Sequence, residues 1–167
     1  WSSDVCSSDL DPAFPTDAMQ KGWLVSADDL PAMAGWPKGA NKGGLASVAF
    51  YPYVLVWNTN LVREGLTSFD QLNDAKYRGK VLAGDPRVLA SARLWYVAML
   101  EKYGDKFLSD LGKHAVYSPS VVPGMQQLAA GSMAVYAPAP HLSVLDIMEK
   151  GAPINRSEEH TSELQSP

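Results

Sequence analysis

From residue 80 onward, short apolar runs alternate with longer amphipathic stretches. Lys80-Val-Leu-Ala83 reads as a compact buried strand closed by Gly84-Asp85-Pro86. Residues 90–103 place Leu94, Val97, Ala98 and Glu101 in rough 3.6-residue period, with Gly104 as a C-terminal stop. A second short helix is predicted over 105–113, a strand at Ala115-Val-Tyr117, and a helix over 122–130 ending at Gly131. Met133-Ala-Val-Tyr136 is the third strand. Pro140 then opens a helix that carries Leu142, Leu145, Ile147 and Met148 on its apolar side and stops at Gly151. Strand and helix in strict alternation build a parallel sheet, because parallel neighbours need a crossover. The expected class is α/β.

The earlier part is less regular. A short helix is expected near 17–23, and Pro31, Pro37 and the 39–44 region read as loop. Ala46-Ser-Val-Ala-Phe50 and Tyr53-Val-Leu-Val-Trp57 are β-prone runs separated by Pro52, which cannot donate to a ladder. Ser68-Phe-Asp-Gln71 has capping-box form and predicts a short helix to about residue 74.

Composition matters mainly at the two ends. Residues 1–10 and 156–167 are polar, without period, and both resemble translations of a short-read sequencing adapter, one in each orientation. They are read as scars and set apart from the fold. Excluding Arg156 from the 14 basic residues, and Asp4, Asp9, Glu158, Glu159 and Glu163 from the 18 acidic ones, leaves equal numbers of each. The net charge of −4 therefore belongs to the flanks, and no nucleic-acid or polybasic membrane footprint survives. The single cysteine, Cys6, also lies in a flank, so the interior is compatible with an oxidising compartment and shows no zinc-site spacing.

Ligands of open parallel sheets bind outside the carboxyl ends of the strands. Two loops qualify. The first runs from Gly84-Asp85-Pro86-Arg87 to Ser91, where a helix start and the Arg87 fork would favour an anion. It reads equally as a tight turn with a solvated arginine. The second is Ala137-Pro-Ala-Pro-His141, flanked by Tyr136 and His141, each of which is also at home as an ordinary rim or structural residue. Tyr51, Tyr53 and Trp57 share a face if their strand is straight, either to stack on a solute or simply to pack. Trp95 and Tyr96 read as helix packing. Nucleophile-elbow, phosphate-loop, dinucleotide and zinc-protease motifs are absent from the sequence.

Taken together, Tyr51-Pro-Tyr-Val-Leu-Val-Trp-Asn-Thr-Asn-Leu-Val62, Ser68-Phe-Asp-Gln-Leu72 and Lys76-Tyr-Arg-Gly-Lys-Val-Leu-Ala-Gly-Asp-Pro86, with Gly131-Ser-Met-Ala-Val135 and Lys150-Gly-Ala-Pro153, resemble bacterial extracellular solute-binding proteins of ABC transporters. The resemblance is to the iron(III), phosphonate, polyamine and thiamine branch. It implies a type II periplasmic-binding-protein fold, two α/β lobes around a cleft. Residues 11–45 would be part of the first lobe, 46–58 the crossing segment and 59–155 the second lobe, so the chain is expected to be an internal fragment. The implied partners are a small-molecule solute, with an anion among the candidates, and an ABC permease. The implied location is periplasmic or cell-surface, with no cofactor and no resident metal. The residues read from these loops and the aromatic run as nearest a solute are Tyr51, Tyr53, Asp85, Arg87, Ser91, Tyr136 and His141. The branch's iron receptors carry a tyrosine pair that Tyr136-Ala-Pro-Ala-Pro-His141 lacks, which argues against ferric iron. The competing expectation is a small α/β enzyme using Asp85 and His141. With one wall of the cleft, the chain is expected to bind a solute weakly or not at all.

Overall fold

The computed structural model describes residues 14–28, 30–36, 41–42, 44–46 and 52–157. The chain divides between Phe50 and Tyr51 into two compact units. In the first, α1 (Phe14–Gln20) sits a few residues earlier than periodicity suggests. A 3-10 turn covers Pro31–Gly35, and β1 (Asn41–Lys42) pairs antiparallel with β2 (Leu45–Ala46). The expected strand over 46–50 lies, beyond Ala46, outside the described residues, as does Tyr51.

The second unit is a five-stranded sheet in the order β5-β4-β6-β3-β7. Its strands are β3 (Tyr53–Asn58), β4 (Val81–Gly84), β5 (Val116–Ser118), β6 (Val135–Pro140) and β7 (Ile154–Arg156). β4 is parallel to both β5 and β6, as the alternation requires. β3 runs antiparallel to β6 and β7. Arg156, the first residue of the adapter-like stretch, is thus within a strand, and the Ser157 amide donates to Leu55 O at 2.8 Å.

Three helices cover the sheet: α2 (Ala90–Gly112), α3 (Val121–Ala129) and α4 (His141–Glu149). Leu55, Trp57, Val81, Val135 and Ala137 share one cluster with Trp95, Met99, Phe107 and Leu111 of α2. Val54, Val56, Leu82 and Tyr136 point the other way, to Met125, Leu128 and Val144 of α3 and α4. Burial on both faces explains why these strands read as continuous apolar runs.

Two features differ from expectation. Leu94 and Val97, placed on the periodic stripe, are 43% and 53% exposed; Trp95, read as packing, is buried together with Met99. The i, i+4 spacing of Trp95 and Met99 turns α2 so that its largest apolar side chain enters the core. Phe69 meets Trp95 edge-on, with ring centroids 5.5 Å apart. Second, β6 begins at Val135 and continues through Pro140 rather than ending at Tyr136. Val54 opposes Ala139 and Val56 opposes Tyr136, so the register shifts where β6 carries Ala137 and cis Pro138. A bulge removes Pro138 from the ladder position where its missing N–H would matter.

The predicted stop at Gly104 appears as a break inside α2, with φ 78° and ψ 174°. Only glycine adopts that backbone without steric cost. After Ser68 the chain forms 3-10 turns at Phe69–Asn73 and Ala75–Tyr77. Gln71 Oε1 returns to the Ser68 and Thr67 amides at 3.0 and 2.8 Å.

Candidate functional site

Because β4, β5 and β6 are parallel, their carboxyl ends lie along one edge, and each is followed there by a helix start. Leu89, Ser120 and Pro140 are the N-cap residues of α2, α3 and α4, and none supplies a side-chain cap. The positive ends of three helix dipoles therefore lie along this edge, with first-turn N–H groups that no N-cap side chain takes, the His141 amide being held by Pro52 O.

Beyond β4, the Asp85 amide donates to Ser118 O at 2.8 Å, extending the β4–β5 ladder. The Asp85 carbonyl accepts from Leu89 N at 2.9 Å and starts the turn into α2. Its carboxylate Oδ1 accepts from the Arg87 amide and from Arg87 Nε, each at 2.9 Å. Arg87 Nη2 completes the fork to Oδ2 at 2.7 Å. The Arg87 side chain is 81% exposed, whereas that of Asp85 is 10% exposed. Arg87's hydrogen bonds hold the Asp85 carboxyl below the usual aspartate range. A carboxylate kept ionised in this way anchors a guanidinium rather than exchanging protons near neutral pH. Tight turn and positioned arginine thus coexist here.

Ser91 lies half-buried in the first turn of α2. Nearby, Tyr96 Oη donates to Gly84 O at 3.3 Å. Burial, then the neighbouring Tyr117, pushes the Tyr96 phenol well above its ordinary value.

At the end of β6, the His141 amide donates to Pro52 O at 3.0 Å, tying the start of α4 to the segment before β3. Tyr53 opposes Pro140 in the ladder and is half-buried at the same edge. Trp57 opposes Val135 at the far end of β3 and belongs to the α2-side core. Tyr53 and Trp57 therefore stand at opposite ends of β3, with Trp57 committed to packing under α2. Tyr136 is fully buried, and among the described residues its hydroxyl has no hydrogen-bond partner. Burial, then Tyr53, pushes its phenol up to about 12.

A third loop at this edge, Ser118-Pro119-Ser120, escaped the sequence reading. Ser118 is buried, and its hydroxyl donates to Ser120 O at 2.6 Å. Its signal was a Ser-Pro-Ser cluster between a strand and a helix. Among the described residues, no group of three His, Cys, Asp or Glu side chains is placed to hold a metal ion. No described helix is long and apolar enough to cross a membrane.

No family model matches the chain, and no curated protein matches it. Solved structures do. A two-component system protein that mediates signal transduction superposes with a TM-score of 0.71 at 14% identity, covering 80% of this chain and 46% of its own. The substrate-binding protein of an ABC transporter from Agrobacterium tumefaciens gives 0.67 at 16% identity, covering 84% and 45%. Iron-bound HitA from Pseudomonas aeruginosa gives 0.66 at 14%, covering 87% and 50%. The chain spans about half the length of these structures. At such identities the likeness establishes fold: α/β, of the periplasmic-binding-protein kind, with a parallel-containing sheet covered by helices.

Proposed function

We propose that the chain is part of the substrate-binding component of an ABC importer, which captures a small solute and delivers it to a membrane permease from the periplasm or cell surface. The observation that carries this reading is the single edge at which three helices begin without side-chain caps, with Arg87 exposed beside them. Such an edge favours an anionic group, which helix-start N–H donors of α2 and α3 and the guanidinium would share. Solved structures of like fold support it, since one is an ABC-transporter substrate-binding protein and another is an iron-bound protein.

In this reading Arg87, Ser91, Tyr53 and His141 form the rim, and Asp85 positions Arg87. Tyr136 lies beneath the rim, and Tyr51 would join it from the segment leading to β3. Residues 59–155 would form most of one lobe, 46–58 the crossing segment and 11–45 part of the other lobe. A solute contacting both lobes shifts the open–closed equilibrium by its differential affinity, and the permease distinguishes the closed form. Hydrolytic or transfer chemistry through Asp85 is disfavoured by its commitment to Arg87.

Isothermal titration of the uninterrupted gene product against anionic and polyamine solutes tests the proposal. One anionic solute should saturate at one site, and Arg87→Ala should weaken it at least tenfold. A receptor that takes only polyamines and ignores Arg87→Ala would overturn the anionic reading. Turnover abolished by Asp85→Ala and His141→Ala in a folded protein would replace it with the enzyme reading.

A further inference from the structure

The opposite edge of the same sheet carries a concavity of about 440 Å³, lined by Asn73, Arg78, Lys106, Asp110, Lys113 and His114. Arg78 precedes β4 and His114 precedes β5, so this cavity lies at the amino ends of the parallel strands, away from the solute edge.

Its frame is fixed by hydrogen bonds across three segments. Asn73 Nδ2 donates to Phe107 O at 3.0 Å, which turns Asn73 Oδ1 toward His114 Nε2, also at 3.0 Å. That pairing makes Nε2 the protonated nitrogen of the neutral ring. The Gly79 amide donates to His114 O at 3.2 Å and closes the wall beside Arg78.

Three cations line this space against one carboxylate. Asp110 takes both Lys106 and Lys113, the latter at 2.9 Å. Arg78 has no ion-pair partner among the described residues. Even after the partial negative charge of the α2 carboxyl end is counted, the walls carry a surplus of positive charge. An apolar ligand has no reason to enter, and a cation would be repelled. A doubly charged oxyanion matches the surplus, and the arginine fork offers it paired donors.

We propose that this cavity binds the phosphate group of a small molecule, with Arg78 as its principal donor and Lys113 at its rim. The volume exceeds that of a bare phosphate, so an ester or free phosphate satisfies the same recognition. Protonation of His114 would add a further positive charge to the wall, but a phosphate ester loses its second negative charge over a similar pH range, so the two effects oppose each other.

Amide-resolved NMR titration of the full chain with inorganic phosphate, glycerol 3-phosphate and chloride at matched ionic strength tests this. Saturable shifts at Asn73, Arg78, Lys113 and His114, with a Kd on the order of 1 mM, are expected for both phosphates and not for chloride. A tighter ester would show that the rest of the cavity contributes, and equal affinities would show that phosphate alone is read. Arg78→Gln should weaken binding at least fivefold, and the exposed Lys113→Gln should weaken it several-fold with the spectrum otherwise retained. Shifts that are non-saturable, matched by chloride, or unchanged in both variants would overturn the site. None of these outcomes depends on a solute at the other edge.

Discussion

Asp85 grips Arg87 through both carboxylate oxygens while also accepting the Arg87 amide, so one side chain shapes the turn and aims the guanidinium. The two partners are unequal. Asp85 is nearly enclosed and is bound into the start of α2, whereas Arg87 is mostly in solvent. Arg87→Ala should leave the urea midpoint unchanged, because exposed ion pairs contribute little. Asp85→Ala should lower it, because the turn loses its acceptor. Equal losses in both variants would show that the pair, not the turn, carries the stability.

Gly124 stands where α3 presses on the sheet. A Cβ there would meet Leu82 Cδ2 at 2.9 Å, Ser118 Oγ at 3.2 Å and Tyr136 Cζ at 3.3 Å. Helix propensity alone would favour alanine by about 1 kcal/mol, but overpacking a filled core costs about 1–3 kcal/mol. Gly124→Ala should therefore destabilise by about 1 kcal/mol in urea unfolding. A stabilised variant would mean that the Leu82 and Tyr136 contacts yield freely.

The Tyr136 hydroxyl is buried without a partner among the described residues, and its phenol is raised from 10.0 to about 12. Burial in the fold favours the neutral form. That contribution is complete below pH 10 and is lost as pH rises from 10 through about 12. Tyr136→Phe removes the ionisation and the desolvated hydroxyl together. Its stability at neutral pH should match or exceed that of the parent, by up to about 1 kcal/mol. Its alkaline loss should be shallower, the raised Tyr96 remaining in both proteins. Thermal unfolding between pH 9 and 12 checks both points.

Gly104 breaks α2 at positive φ, and nothing lies within 4 Å of a Cβ placed there. Substitution therefore tests backbone conformation without a clash. Gly104→Ala should cost about 1–3 kcal/mol, read as a lower urea midpoint with an unchanged m-value. No loss would mean that the helix straightens to accommodate alanine.

Gly104 also shows what the sequence disclosed. A glycine after an amphipathic stretch marked the break, and the alternation from residue 80 onward required parallel pairing, because both signals are local. The face of α2 was misjudged for a reason that local period cannot supply. Leu94 and Val97 fit a helical stripe as well as Trp95 and Met99 do, and only the sheet beneath decides which stripe is buried. Likewise, Ala137-Pro-Ala-Pro140 looked like loop because proline is foreign to ladders, and a register shift against β3 is a tertiary event. At the carboxyl edge of the parallel strands, Asp85 and Arg87 were visible as turn chemistry. Ser118 became notable only once β5 stood beside β4.

Arg78 and His114 provide the last test, at the amino edge of the parallel strands. Burial, then the Arg78 charge, lowers His114 below its ordinary 6.5, while Asp110 pulls weakly the other way. The unfolded chain therefore takes up this proton first as pH falls. The neutral ring's contribution is complete above pH 6.5 and declines as pH drops from 6.5 through the lowered value. Arg78→Ala removes the repulsion and leaves the burial. The His114 ring titration followed by NMR should move upward, and the destabilisation below pH 6.5 should become shallower. Raising the salt concentration should move the parent protein in the same direction by a smaller amount, since a partly buried pair is only partly screened. A His114 titration unmoved by Arg78→Ala would show that burial alone sets it, and that the guanidinium does not reach the ring.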